Sequence, residues 1–368
     1  MQFWIVNTII VFCVSAFLAG WLIPKVLLIA FRRNLFDQPN ERKIYYGSIP
    51  RLGGLVFYPV ITFSIILVLG LNLFCGNNEI LDILKTNSIQ VIFFFCSLIV
   101  LYIVGLADDL VGVRYPAKFA SQVLAAVLLI CSDLNVTNFC GLFGLYDLPF
   151  WFSCLFTVFI ILFIVNAINL IDGIDGLASG LSAVACLFYA LVFFCVGEFL
   201  YLFIAVATIG VIVPFFYYNV FGDVSKQKKI FMGDTGSLTI GLILSFLFLK
   251  LSSIQVLPFA CDINVLFLAF LPLMIPCFDV VRVVIHRLRN HKNPFLADRN
   301  HIHHKLLNIG LSSRVVMVLI VSVAILWIVL NLFLLNIFNS TVVLFVDVLC
   351  YVLFNIWLTS KIKKYKNK

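Results

Sequence analysis

Apolar residues run in long blocks along nearly the whole 368-residue chain, and each block is closed by a short polar or basic stretch. A bilayer core is crossed by about 20 helical residues. The blocks therefore predict spans at roughly 4–24, 53–74, 89–106, 117–132, 149–168, 178–196, 198–217, 236–252, 264–285, 314–336 and 341–360. This gives eleven transmembrane helices and an all-α, polytopic integral membrane protein, with 1–368 as one transmembrane domain. The pair meeting at Gly197 and Glu198 is divided by the thinnest boundary.

Composition agrees: 63% of the residues are hydrophobic and 11% charged, too few to coat a soluble globule of this length. The mean hydropathy is +1.14. Of the 25 Lys and Arg, only Lys85 and Lys250 fall on the side shared with the N-terminus, so the positive-inside tendency puts the N-terminus outside and the C-terminus in the cytoplasm. The start, MQFWIVN, lacks a basic leader, and the first span is read as retained. The net charge of +8 then belongs to cytoplasmic loops, where it suits anionic headgroups and phosphorylated substrates better than nucleic acid. The eleven Cys form no C-x-x-C pair and show no zinc-ligand spacing.

The sharpest polar signal is Asn166 to Gly180, NAINLIDGIDGLASG, directly after an apolar run. Asn166, Asn169, Asp172 and Asp175 recur every third residue, which on a continuing helix would aim two amides and two carboxylates to one side. Four more cytoplasmic stretches carry candidate chemistry. In 31–54, Arg42, Lys43 and Arg51 precede Gly53 and Gly54, whose N–H groups would face an anion at the start of a span. In 105–118, the adjacent carboxylates of Asp108 and Asp109 demand a positive neighbour, with Arg114 and Lys118 close by in sequence. In 218–237, Asn219 and the cluster Lys226, Lys228, Lys229 lead into FMGDTGS, where Asp234 or Thr235 would cap a helix. A lone carboxylate between glycines there also suits a hard divalent cation that takes few protein ligands. In 286–313, His301, His303 and His304 lie among Lys292, Arg299 and Lys305; zinc is one reading, but donation to an anionic, phosphorylated ligand fits adjacent His303 and His304 better. Asp279 and Arg282, three apart, predict a salt bridge.

Five pieces in order, DQPNERK with PRLGG, LADD, NAINLIDGIDGL, FMGDTGS and PFLADRNHIHHKLLNIGLS, resemble the motifs of the polyprenyl-phosphate N-acetylhexosamine-1-phosphate transferases. The HIHH form resembles the branch that starts O-antigen, common-antigen or teichoic-acid linkage glycans; the branch that transfers phospho-N-acetylmuramoyl-pentapeptide in peptidoglycan synthesis is the second reading. The resemblance implies a bacterial inner-membrane enzyme with a cytoplasm-facing, Mg2+-dependent site (Mn2+ as an alternative). It would move N-acetylhexosamine 1-phosphate, foremost that of N-acetylglucosamine, from a UDP-sugar to undecaprenyl phosphate, releasing UMP, and it leaves room for a homodimer. By the same resemblance Asn169 and Asp234 are metal ligands, and Asp108, Asp109 and Asp175 are catalytic. Asn166, Asp172 and Asn219 belong to the nucleotide-sugar side, while Arg51, Lys118, His301, His303 and His304 hold phosphates.

Two other classes fit less well. An ion-coupled transporter places its charged groups near the bilayer midplane on broken helices, whereas these carboxylates close apolar runs. An intramembrane aspartyl protease needs a pair of isolated Asp within spans, and only Asp347 is isolated.

Overall fold

The computed structural model describes residues 1–36, 49–254, 263–291 and 300–366, with side chains to 362. Thirteen helices follow in chain order: α1 (Gln2–Arg32), α2 (Phe57–Phe74), α3 (Asn78–Val111), α4 (Tyr115–Ile130), α5 (Phe150–Ile171), α6 (Leu177–Val196), α7 (Phe199–Val220), α8 (Gly233–Ser252), α9 (Val265–Phe270), α10 (Met274–Arg289), α11 (Ile302–Leu307), α12 (Ser313–Leu334) and α13 (Ser340–Lys366). Ten segments among the described residues are long and apolar enough to cross a membrane; the 16-residue α4 is the shorter apolar helix that completes the expected eleven.

Local chemistry sets most boundaries. The Asn77 side chain accepts the Glu79 N–H at 3.0 Å and starts α3. The division at Gly197 is made by its left-handed backbone, φ 85°, which ends α6 one residue before the cap of α7. The span expected over 264–285 is broken into α9 and α10 by a tight turn, Leu271–Leu273, because Pro272 offers no N–H to continue the ladder. The α3 helix is longer than its apolar run predicts, since the mixed polar and apolar segment from Asn78 to Ser88 extends the helix ahead of it.

The bundle is organised around α8, whose residues Thr235 to Leu251 are all buried. It packs against α3, α5, α6 and α9 and the turn Gly53–Val56. Close approach needs small residues: a Cβ on Gly105 would lie 2.6 Å from the Thr235 Cα, and one on Gly54 only 2.0 Å from the Gly236 nitrogen. Large side chains such as Phe17, Trp21, Ile66, Leu326 and Phe345 point outward, the faces expected to meet lipid.

Candidate active site

The first turn of α8 is where four helices bring their polar residues together. No side chain of its own caps it, contrary to the expectation for Asp234 or Thr235. Asp109, at the end of α3, does so across the bundle: Oδ1 accepts the Asp234 N–H at 2.8 Å, and Oδ2 accepts the Thr235 N–H at 2.8 Å and its hydroxyl at 2.5 Å. A carboxylate facing the positive end of a helix is well placed. This explains how two adjacent acids coexist: Asp109 answers the helix start, while Asp108 accepts the Val113 N–H at 2.6 Å and pairs with Lys118 at 3.2 Å.

Lys118, from α4, also reaches Asp234 Oδ1 at 2.9 Å and so bridges the two carboxylates. Asn169, from α5, donates its amide to Asp234 and to the Ser237 hydroxyl, the latter at 2.8 Å. Thus Asp108, Lys118, Asn169 and Asp234, drawn from four helices, form one connected cluster.

The helix that carries Asn166 and Asn169 stops at Ile171, so the three-residue repeat does not form a single face. Asp172 ends it and Asp175 lies in the following turn. Asn166 pairs instead with Gln122 of α4, donating to its Oε1 at 2.7 Å. Asp175 meets Lys229 at 2.6 Å, with both side chains nearly enclosed. Asp172 is pushed up to about 7, first by burial, then by the carboxylates of Asp234 and Asp175, with the positive charge of Arg51 pulling the other way. Asn219 is a brace: its Oδ1 accepts the Gly176 N–H at 2.7 Å and its amide donates to the Ile230 carbonyl at 2.9 Å, which fixes the turn bearing Asp172 and Asp175.

The glycines after Arg51 do not face an anion. The N–H groups of Gly53 and Gly54 are spent on the carbonyls of Phe231 and Met232, both at 2.9 Å. They join the Arg51 segment to the strap before α8, and the Arg51 carbonyl lies against Gly233.

Opposite this cluster stand the histidines. Asp279 of α10 accepts from His301 Nδ1 at 2.8 Å, the Ile302 N–H at 3.0 Å, Arg282 at 2.8 Å and the Tyr351 hydroxyl at 3.3 Å. The expected Asp279–Arg282 bridge is present, but its larger task is to anchor the loop bearing His301. His303 is buried against Gly173, where a Cβ would lie 2.1 Å from its Nε2, so this loop reaches the turn between Asp172 and Asp175. Neither ring nitrogen of His303 has a hydrogen-bond partner among the described residues. Burial, then the neighbouring His304 and His301, lower it to about 3, so the ring is neutral and can donate one hydrogen bond. His304 packs ring to ring on His303 at 4.2 Å.

The donor set bears on the metal. Among the described residues no three His, Cys, Asp or Glu converge as a metal cage. Asn169 turns its amide N–H to Asp234, and with the carboxylates of Asp234 and Asp108 joined through Lys118 the cluster has the sparse, oxygen-rich character that would suit Mg2+ retaining water and phosphate ligands. Arg42, Lys43, Lys292 and Arg299 lie outside the described residues. Reading the sequence missed Gln122, Ser237 and the pairing role of Lys229; a Gln in the apolar face of α4 was the available signal for the first.

The glycosyl transferase family 4 model matches residues 91–252. A Salmonella typhi protein named "Undecaprenyl-phosphate alpha-N-acetylglucosaminyl 1-phosphate transferase" is 30% identical over 300 residues, 79% of this chain and 74% of that one. The Escherichia coli (strain K12) protein of the same name is 29% identical over 294 residues, with the same coverage of each chain. A Bacillus subtilis protein named "Probable undecaprenyl-phosphate N-acetylglucosaminyl 1-phosphate transferase" is 28% identical over 317 residues, 84% of this chain and 80% of that one.

Proposed function

The chain belongs to glycosyl transferase family 4, among the polyprenyl-phosphate sugar-1-phosphate transferases, and from that membership we propose that it moves N-acetylglucosamine 1-phosphate from UDP-N-acetylglucosamine to undecaprenyl phosphate. A nonbridging oxygen of the lipid phosphate attacks the β-phosphorus of the nucleotide sugar. The bond from that phosphorus to the bridging oxygen breaks, UMP leaves, and a lipid-linked diphosphate sugar remains to start an envelope glycan. The site is taken to face the cytoplasm at the bacterial inner membrane, a reading that the distribution of Lys and Arg supports.

The observation that carries this reading is the Asp108–Lys118–Asp234–Asn169 cluster at the head of α8. Phosphoryl transfer asks a protein chiefly to position the partners and to neutralise charge. Asp234 and Asn169 would hold Mg2+, which supplies neutralisation of the diphosphate when bound. Lys118 meets the incoming lipid phosphate, and Asp108 keeps that ammonium in place. A lipid phosphate has its second pKa near 6 and is already mostly dianionic at cytoplasmic pH, so Asp108 has no proton to remove. Asp172 and Asp175 face the nucleotide sugar, and the neutral His303 with His301 and His304 donates to its phosphates. Asp109 and Asn219 act by holding α8 and the Asp172 turn where these contacts are made.

Purified enzyme given radiolabelled UDP-N-acetylglucosamine and undecaprenyl phosphate should yield labelled lipid and one UMP per transfer. Preferential transfer from UDP-N-acetylmuramoyl-pentapeptide in direct competition would place the chain in the other branch, and no lipid product from any UDP-sugar would end the proposal.

A further inference from the structure

A cleft of about 700 Å³ lies between α10 and α13, and no residue of the cluster at the head of α8 lines it. Its apolar walls are Phe278, Val281 and Ile285 on one helix and Val348, Val352 and Ile356 on the other. At the end toward the histidine loop the lining changes to Arg282, His286, Arg289 and Lys305. Helix α13 is held to the body by buried Val343, Tyr351 and Leu358 and by polar contacts. Tyr351 reaches Asp279 at 3.3 Å, Lys305 reaches Thr359 at 3.1 Å, and Asn331 reaches Asp347 at 3.2 Å. Between α10 and α13 this leaves an apolar slot with a cationic mouth.

We propose that this cleft binds an anionic phospholipid, distinct from the acceptor, with its acyl chain along α10 and α13 and its phosphate at Arg289 and Lys305. Charge complementarity identifies the occupant: three Lys or Arg side chains and a His gather at the mouth, and among the described residues no Asp or Glu lines the cleft. Each Lys or Arg near an anionic leaflet contributes about 1 kcal/mol to such attraction. Arg282 is committed to Asp279, whereas among the described residues the Lys305 ammonium bonds to the neutral Asn355 and Thr359. Burial, then the nearby Arg282, pull Lys305 down to about 8. Asp279, His301 and Tyr351 are buried and bonded together beside the cleft, and none of Asp108, Lys118, Asn169 or Asp234 lines it, so an occupant held at Arg289 is distinct from the acceptor at Lys118.

The test uses the full chain in phosphatidylcholine nanodiscs with and without phosphatidylglycerol. Lipids retained after mild detergent extraction are counted by native mass spectrometry. The wild type should keep one phosphatidylglycerol per chain in preference to phosphatidylcholine, and undecaprenyl phosphate should not displace it. Arg289→Gln should weaken that retention about fivefold, the ratio for one lost cation at a lipid surface, with transfer activity in phosphatidylcholine unchanged. Val352→Trp, which fills the slot, should abolish it; Arg289→Gln decides alone if that variant does not fold. Equal retention of both lipids, undiminished retention in Arg289→Gln, or displacement by undecaprenyl phosphate would each overturn the proposal. Because retention is read without catalysis, the result is independent of which sugar is transferred.

Discussion

Removing the charge of Asp109 separates a structural acid from a chemical one. In Asp109→Asn one acceptor oxygen becomes an amide group facing either the Asp234 N–H or the Thr235 N–H and hydroxyl, all now donors against a donor. Loss of an N-cap costs about 0.5–2 kcal/mol, loss of a carboxylate at a helix start up to about 2 kcal/mol, and a buried N–H without an acceptor about 1–3 kcal/mol. These overlap, because they describe the same three contacts. The net expectation is a destabilisation of about 2–4 kcal/mol. Asp108→Asn loses only the Lys118 pairing and part of the Val113 contact, so it should stay near wild-type stability while turnover falls. Tm in detergent, followed by tryptophan fluorescence, and kcat from UMP release should be measured on both variants. A wild-type Tm for Asp109→Asn together with a collapsed kcat would refute the capping role and return Asp109 to the reaction itself.

Asp234→Asn should lower kcat about a hundredfold or more at saturating Mg2+ with the fold retained; near-normal turnover would remove it from the metal site. Gly105→Ala forces a methyl to within 2.6 Å of the Thr235 Cα and should cost about 1–3 kcal/mol, seen as a lower Tm. His303 is neutral in the fold down to about 3 but takes a proton near 6.5 when unfolded, so between those values the unfolded chain binds more protons. Stability should therefore be full above about 6.5 and fall as the pH drops toward 3, and His303→Gln should flatten that slope in a Tm-against-pH series. In a Cys-less background, Cys at Lys226 should react with impermeant thiol reagents only once the inner face is opened, and Cys at Asn135 from outside; labelling of both from one side would overturn the assigned orientation.

The spans were legible because membrane helices announce themselves by length and hydropathy, and each of the eleven apolar runs meets a helix. The site residues were legible as types at the ends of those runs. Their partners were not. Asp234 reads locally as a helix cap, yet the cap is Asp109, 125 residues earlier, because α3 and α8 touch through Gly105. Likewise Asn166 and Asn169 share a spacing but turn to different helices, Gln122 on α4 and Asp234 on α8, once the helix stops at Ile171. Such pairings depend on tertiary packing, which local periodicity does not encode.

The burial of α8 also insulates the chemistry from the membrane. A bilayer that thickens or thins acts on helices with a lipid-facing surface, chiefly by tilting them, and α8 from Thr235 to Leu251 has none. Mechanical stress must first pass through the outer ring, where α1, α12 and α13 are exposed along much of their length. A mismatch can thus tilt the ring while the carboxylate at the head of the axle keeps its bearing, so turnover should vary less with acyl-chain length than the overall Tm does.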